Sequence, residues 1–215
     1  MNKYKLIKPY IMGITIPLFL IVMLLNIAPS GFAELTPIIL SRLGISKSYS
    51  LLFTAITFVL PTIIGTIIAF KIIDKLGRIK MLLIGSLGMS LSLIGMYFLL
   101  NHIIILLITF SVGSLLIAFF LLIIYSFATE LYPTKMRGIG QGITISGIRT
   151  GGIIGLFGGS IVLSTFKLGG LLIVYSLISF TAFLMILLWL GKKAETNDMS
   201  LEDIDKRRNY HEIIL

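Results

Sequence analysis

Five stretches of the chain run for 20 to 27 residues without a charged side chain: Tyr10–Phe32, Ser48–Phe70, Met81–Leu100, Ile103–Thr129 and Leu168–Gly191. A sixth, Gly138–Phe166, carries a single charge, Arg149. A helix needs about 20 apolar residues to cross the hydrocarbon of a bilayer. A backbone in lipid must also satisfy its own hydrogen bonds, which leaves only helices and closed barrels. Barrel strands alternate polar and apolar residues over about ten positions, and these runs do not. The expected fold class is therefore an all-α membrane protein with six transmembrane helices, at 10–32, 48–70, 81–100, 103–129, 138–166 and 168–191. Only 13% of the residues are charged, against about 25% in soluble domains, and the lipid bilayer is the expected surrounding.

The net charge of +9 is unevenly placed. Fourteen basic residues fall at 1–9, 71–80, 135–137 and 192–208, on one side of the predicted bundle, and only Arg42, Lys47 and Lys167 on the other. By the positive-inside rule the segments 1–9 and 192–215 are cytoplasmic, in the cell membrane. The basicity is read as a topology signal, and no nucleic-acid partner is expected. The first run is too long for the roughly 7 to 15 apolar residues of a signal peptide, so it is read as a retained span. There is no cysteine, and the two histidines, His102 and His211, lie in a short loop and in the tail. No metal site, cofactor or catalytic residue follows from such a set, and the signatures of membrane-embedded enzymes are missing; an enzyme is not expected.

Three cytoplasmic stretches carry motifs. "DKLGRIK" at 74–80 joins spans two and three, "ATELYPTKMRGIGQG" at 128–142 joins spans four and five, and "AETNDMSLEDI" follows span six. Asp74 and Arg78 stand four apart, a spacing that lets them pair on one helical face. Together with six spans in this order, these stretches resemble the carboxyl-terminal half of a major facilitator superfamily (MFS) transporter of the sugar-porter-like kind. The family's motifs read D-x-x-G-R-[RK], E-x-x-P-T-x-x-R-G-x-G and P-E-T-K-G-x-x-L-E-E. Asp74, Gly77 and Arg78 match the first; Glu130, Pro133, Arg137, Gly138 and Gly140 the second; Glu195, Thr196, Leu201 and Glu202 the third. The resemblance implies one half of a bundle built as a 3+3 inverted repeat. It also implies a cytoplasmic gate network of Asp74, Arg78, Glu130, Arg137 and Glu195, and alternating access with a proton or another ion as a candidate coupling partner. A second six-helix half, in a separate chain or a second copy, is the expected partner; a truncated, non-transporting fragment is the alternative.

The fifth span holds two faces. Gly147, Gly151, Gly155 and Gly159 recur every fourth residue, the small-x-x-x-small pattern that lets helices approach closely. Arg149 points roughly 140° away from the centre of that stripe at 100° per residue, about 16 Å into the membrane counted from Gly138. A charge at that depth costs at least about 2.5 kcal/mol on insertion scales and is by default functional. A guanidinium offers a planar fork suited to carboxylate, phosphate or sulfate. Arg149 is thus the expected binding group for a small organic anion, with Asn26, Ser30 and Glu34 of the first span as weaker candidates. Glu34 is read either as a proton-coupling acid or as a loop-side residue at the outer boundary. Sugar carriers of the family show Q-x-x-S-G-x-N in that span, where this chain has "LLNIAPSGFAELTP".

Overall fold

The computed structural model describes residues 15–42, 45–100, 102–132 and 137–190, which are almost wholly helical. Helix α1 spans Ile16–Arg42. Helix α2 runs from Lys47 to Leu76 through a π turn at Ala55–Val59. Helices α3 and α4 are Arg78–Phe98 and Ile103–Leu131. The remaining stretch, Arg137–Met185, ends in a π turn at Ile186–Leu190 and is broken at Lys167, where φ is 58° and ψ −169°. We call its arms α5 (137–166) and α6 (168–190). Segments 1–9 and 192–215 lie outside the described residues.

Among the described residues five continuous helices, not the expected six, are long and apolar enough to cross a membrane, because α5 and α6 are joined without a loop. The joint nevertheless reverses the chain. Twenty residues of straight helix would separate Gly155 from Tyr175 by about 30 Å, yet the Tyr175 hydroxyl donates to the Gly155 carbonyl at 2.6 Å. Lys167 achieves this in a backbone region that non-glycine residues seldom enter.

Helix α1 also departs from the expected 10–32 span. It continues to Arg42, so most of the connection expected at 33–47 is helical. The lone charge of Glu34 does not end the helix, and Pro29 and Pro37 lie inside it. In a membrane helix the carbonyls that proline leaves unpaired are served by neighbouring groups, and prolines are tolerated. In α2 the π turn lies immediately before Pro61, whose missing N–H and ring disturb the turn ahead of it. The Thr62 hydroxyl bonds the Phe58 carbonyl there at 2.6 Å.

Between helices in lipid, van der Waals contact and small residues drive packing, since the tails are as apolar as the side chains. Glycines accordingly mark each close crossing. A Cβ on Gly65 of α2 would strike the Leu115 carbonyl of α4, and one on Gly85 of α3 would lie 2.8 Å from the Leu116 oxygen. Phe32, Phe110 and Phe58 join α1, α4 and α2, with ring centroids 4.4 and 6.0 Å apart. Helices α3 and α6 meet through a reciprocal pair: Ser90 donates to the Ser176 carbonyl at 3.1 Å and Ser176 to the Ser90 carbonyl at 2.9 Å. Thus α2 lies on α4 as α5 lies on α1, while α3 and α6 face each other. This is the contact pattern of two three-helix units in inverted repeat.

Candidate functional site

The glycine stripe of α5 is buried against α1. A Cβ on Gly147 would lie 2.8 Å from the Phe19 carbonyl oxygen, one on Gly151 would meet the Met23 carbonyl, and one on Gly155 the Ile27 carbonyl. Gly159 instead leaves room for the Tyr175 hydroxyl. Arg149 stands on the other side of the same helix and is exposed, as are Gly138, Gly142 and Ser160 in its sector. Nothing lies within 4 Å of a Cβ built on Gly138 or Gly142. At 1.5 Å per residue Arg149 is about 18 Å along α5 from Arg137 and about 27 Å from Lys167. The charge therefore sits in the interior of the span, facing away from the bundle core.

The three polar residues of α1 separate. Asn26 is buried, and its Nδ2 donates to the Ile148 carbonyl of α5 at 2.6 Å. Ser30 is half-buried, with its Oγ 3.8 Å from the position a Cβ would take on Gly152. Glu34 is exposed, two turns above Asn26. The structure brings Asn26 and Ser30 to the α5 backbone beside Arg149, and places Glu34 farther along α1.

On the motif side, Asp74 and Arg78 do not share one helical face. Gly77 intervenes at φ 81°, ψ 156°, closing α2 and opening α3. A left-handed φ is cheap for glycine alone, so the G-R step of the motif is a helix boundary. Asp74 is exposed on the last turn of α2 and Arg78 half-buried on the first of α3, and neither lacks a partner. Arg137 begins α5, half-buried, with its Nε buried and without a hydrogen-bond partner among the described residues. The Glu130 side chain and all of Glu195 lie outside the described residues.

Two tyrosines that sequence reasoning missed tie the same elements together. Tyr132, directly before Pro133 of the second motif, is 1% exposed; its hydroxyl bonds Thr15 at 3.0 Å and Thr144 at 3.1 Å. Its ring fills the notch left by Gly140. The motif thereby fastens the end of α4 to the beginnings of α1 and α5. The phenol's place beside the motif proline was the one available signal. Tyr175 similarly fills the notch between Gly31, Gly155 and Gly159, and nothing local in the sequence marks it. Tyr132→Phe should keep the fold but cost about 1 kcal/mol, a typical net value for a buried hydrogen bond. In a chain of this size that corresponds to about 2–4 °C in thermal unfolding in detergent. An unchanged midpoint would remove the hydroxyl from the account.

The sequence model described as Major Facilitator Superfamily matches residues 11–210. The chain belongs to the Major Facilitator Superfamily. Among curated proteins, "Putative metabolite transport protein YwtG" of Bacillus subtilis (strain 168) is 28% identical over 174 residues, which are 77% of this chain and 37% of that relative. The matched part of the chain thus spans well under half the length of that relative. Membership in this superfamily of transporters, with five long apolar helices, makes the chain a multi-pass membrane protein.

Proposed function

We propose that this MFS chain forms one six-helix half of a secondary transporter that moves a small organic anion by alternating access. The observation that carries this reading is Arg149: a charged fork in the interior of α5, exposed on the face opposite the glycines that bind α5 to α1. In a transporter built of two such halves the substrate path runs between them near the bilayer midplane. Arg149 lies at the corresponding depth. A fixed guanidinium there favours carboxylate, phosphate or sulfate over neutral sugars and cations. Ser30 lends a hydroxyl beside it, and Glu34, exposed on α1, is the carboxylate available for proton coupling. Asp74, Arg78, Glu130, Arg137 and Glu195 act as the gate on the basic, cytoplasmic side of the cell membrane, where both ends of the chain lie. The reading assigns the chain no enzymatic step and needs no cofactor.

The path is completed by a complementary six-helix half. A second reading is a membrane-embedded assembly subunit that does not itself transport and needs the same complementary half. Uptake by vesicles from cells that express the chain, set against vesicles from cells that lack it, tests the first reading. Radiolabelled benzoate, succinate and phosphate serve as anions, glucose and a quaternary ammonium as controls. Gain of anion uptake alone is expected. Gain of glucose or ammonium uptake would overturn the anion assignment, and no gain with any solute would favour the second reading.

A further inference from the structure

The contact between Asn26 and Ile148 falls on one peptide bond. The carbonyl that accepts from Asn26 Nδ2 at 2.6 Å belongs to the peptide joining Ile148 to Arg149. A helical carbonyl already accepts the N–H four residues on, here that of Gly152, and has a second lone pair free for a side-chain donor. Access to it depends on the adjacent glycines. A Cβ on Gly151 would lie 3.2 Å from the Asn26 Cβ, and one on Gly152 would lie 3.7 Å from Asn26 Nδ2. Asn26 itself is only 7% exposed. The one amide on α1 at this level is therefore spent on the α5 backbone and turned away from solvent.

We propose that Asn26 is a positioning residue: by bonding the 148–149 peptide it fixes the rotation and height of Arg149 on α5, and it does not itself bind the transported solute. The inference rests on the reading of Arg149 as the anion-binding group. It reassigns Asn26 from the candidate substrate contacts to the support of one. The glycine stripe sets how close α1 and α5 come, and sliding along such a smooth stripe is opposed by few side chains. A directional bond at Asn26 fixes the register at the level of Arg149, between the contacts that Tyr132 and Tyr175 make on either side of it.

The consequence differs from that of a substrate contact. A residue that touches the solute discriminates among solutes by their shape. A residue that aims Arg149 affects every anion alike. In uptake by the full chain, Asn26→Ala and the space-filling Asn26→Leu should raise KM for benzoate, succinate and phosphate by one common factor, roughly 2- to 12-fold, the span of one net hydrogen bond. The maximal rates should hold. Unequal factors for the three anions, or an effect of Ala that Leu repairs, would overturn the proposal in favour of direct contact or simple packing.

A second measurement needs no transport. The chain has no cysteine, so Arg149→Cys introduces one thiol at that point. Its rate of modification by an anionic methanethiosulfonate should change at least twofold when Asn26→Leu is added, since the helix face it occupies is no longer held. An unchanged rate would overturn the positioning role. Should Arg149→Ala leave uptake intact, the anion reading fails while the thiol rate still decides whether Asn26 sets the position of residue 149.

Discussion

Gly155→Leu is expected to abolish recovery of a folded, monodisperse chain from detergent, whereas Gly158→Ala, three residues along the same helix, leaves recovery unchanged. The two glycines differ in what surrounds them. Around a Cβ on Gly155 stand the Ile27 carbonyl, the Ile27 carbonyl carbon at 3.1 Å and the Gly31 nitrogen at 3.1 Å, all of them main-chain atoms of α1. None can turn aside as a side chain does, so α1 must move off α5 as a whole. That move also parts Gly147 and Gly151 from Phe19 and Met23, and Gly31 from the Tyr175 hydroxyl. Inserting methylenes into a packed core costs about 1–3 kcal/mol even where side chains give way. Here the cost should exceed about 3 kcal/mol, a large share of the roughly 5–15 kcal/mol that holds a typical protein folded. Around Gly158 nothing lies within 4 Å of an added Cβ. Alanine there gains up to about 1 kcal/mol of helix propensity. Size-exclusion profiles and thermal midpoints of the two variants check the pair, and equal behaviour would mean that α1 does not rest on this stripe.

The contrast shows which parts of the molecule could be read in advance. Spans follow from runs without charge because the membrane enforces them, and the stripe Gly147, Gly151, Gly155, Gly159 follows from a period that any helix projects on one face. Helix ends were less legible. Residues 33–42 hold a glutamate and a proline, both common loop signals, yet remain helical because the segment stays largely apolar and its proline is tolerated. At Asp74 and Arg78 the spacing suggested one helix, but the glycine between them takes a left-handed φ that ends it. The cross-helix bonds were beyond reach. Asn26 and Ile148 are 122 residues apart, Tyr132 and Thr15 117, and Ser90 and Ser176 86. Each depends on the order of packing rather than on any local pattern. For the site, the charge at Arg149 and the face it occupies could be read from the sequence, while the acceptor of Asn26 on α5 could not.

Arg149→Ala should reduce anion uptake to background while the chain still inserts and purifies as before. Insertion survives because the residue is exposed and faces away from the α1 contact, so its loss leaves no cavity in the core. Uptake fails because the anion loses its counter-charge away from bulk water. Removing one member of a desolvated, hydrogen-bonded charge pair costs about 2–5 kcal/mol, a fall of roughly 30- to 5,000-fold in affinity. Arg149→Lys keeps the charge and loses the fork, and should retain part of the uptake. The most direct measurement of the account is therefore the concentration dependence of benzoate, succinate and phosphate uptake by vesicles carrying the wild-type chain, Arg149→Lys or Arg149→Ala at equal expression. The anion-binding role of Arg149 predicts saturable uptake of at least one of these anions by the wild type, weaker uptake with lysine and none above background with alanine. Equal uptake by the wild type and Arg149→Ala would contradict it.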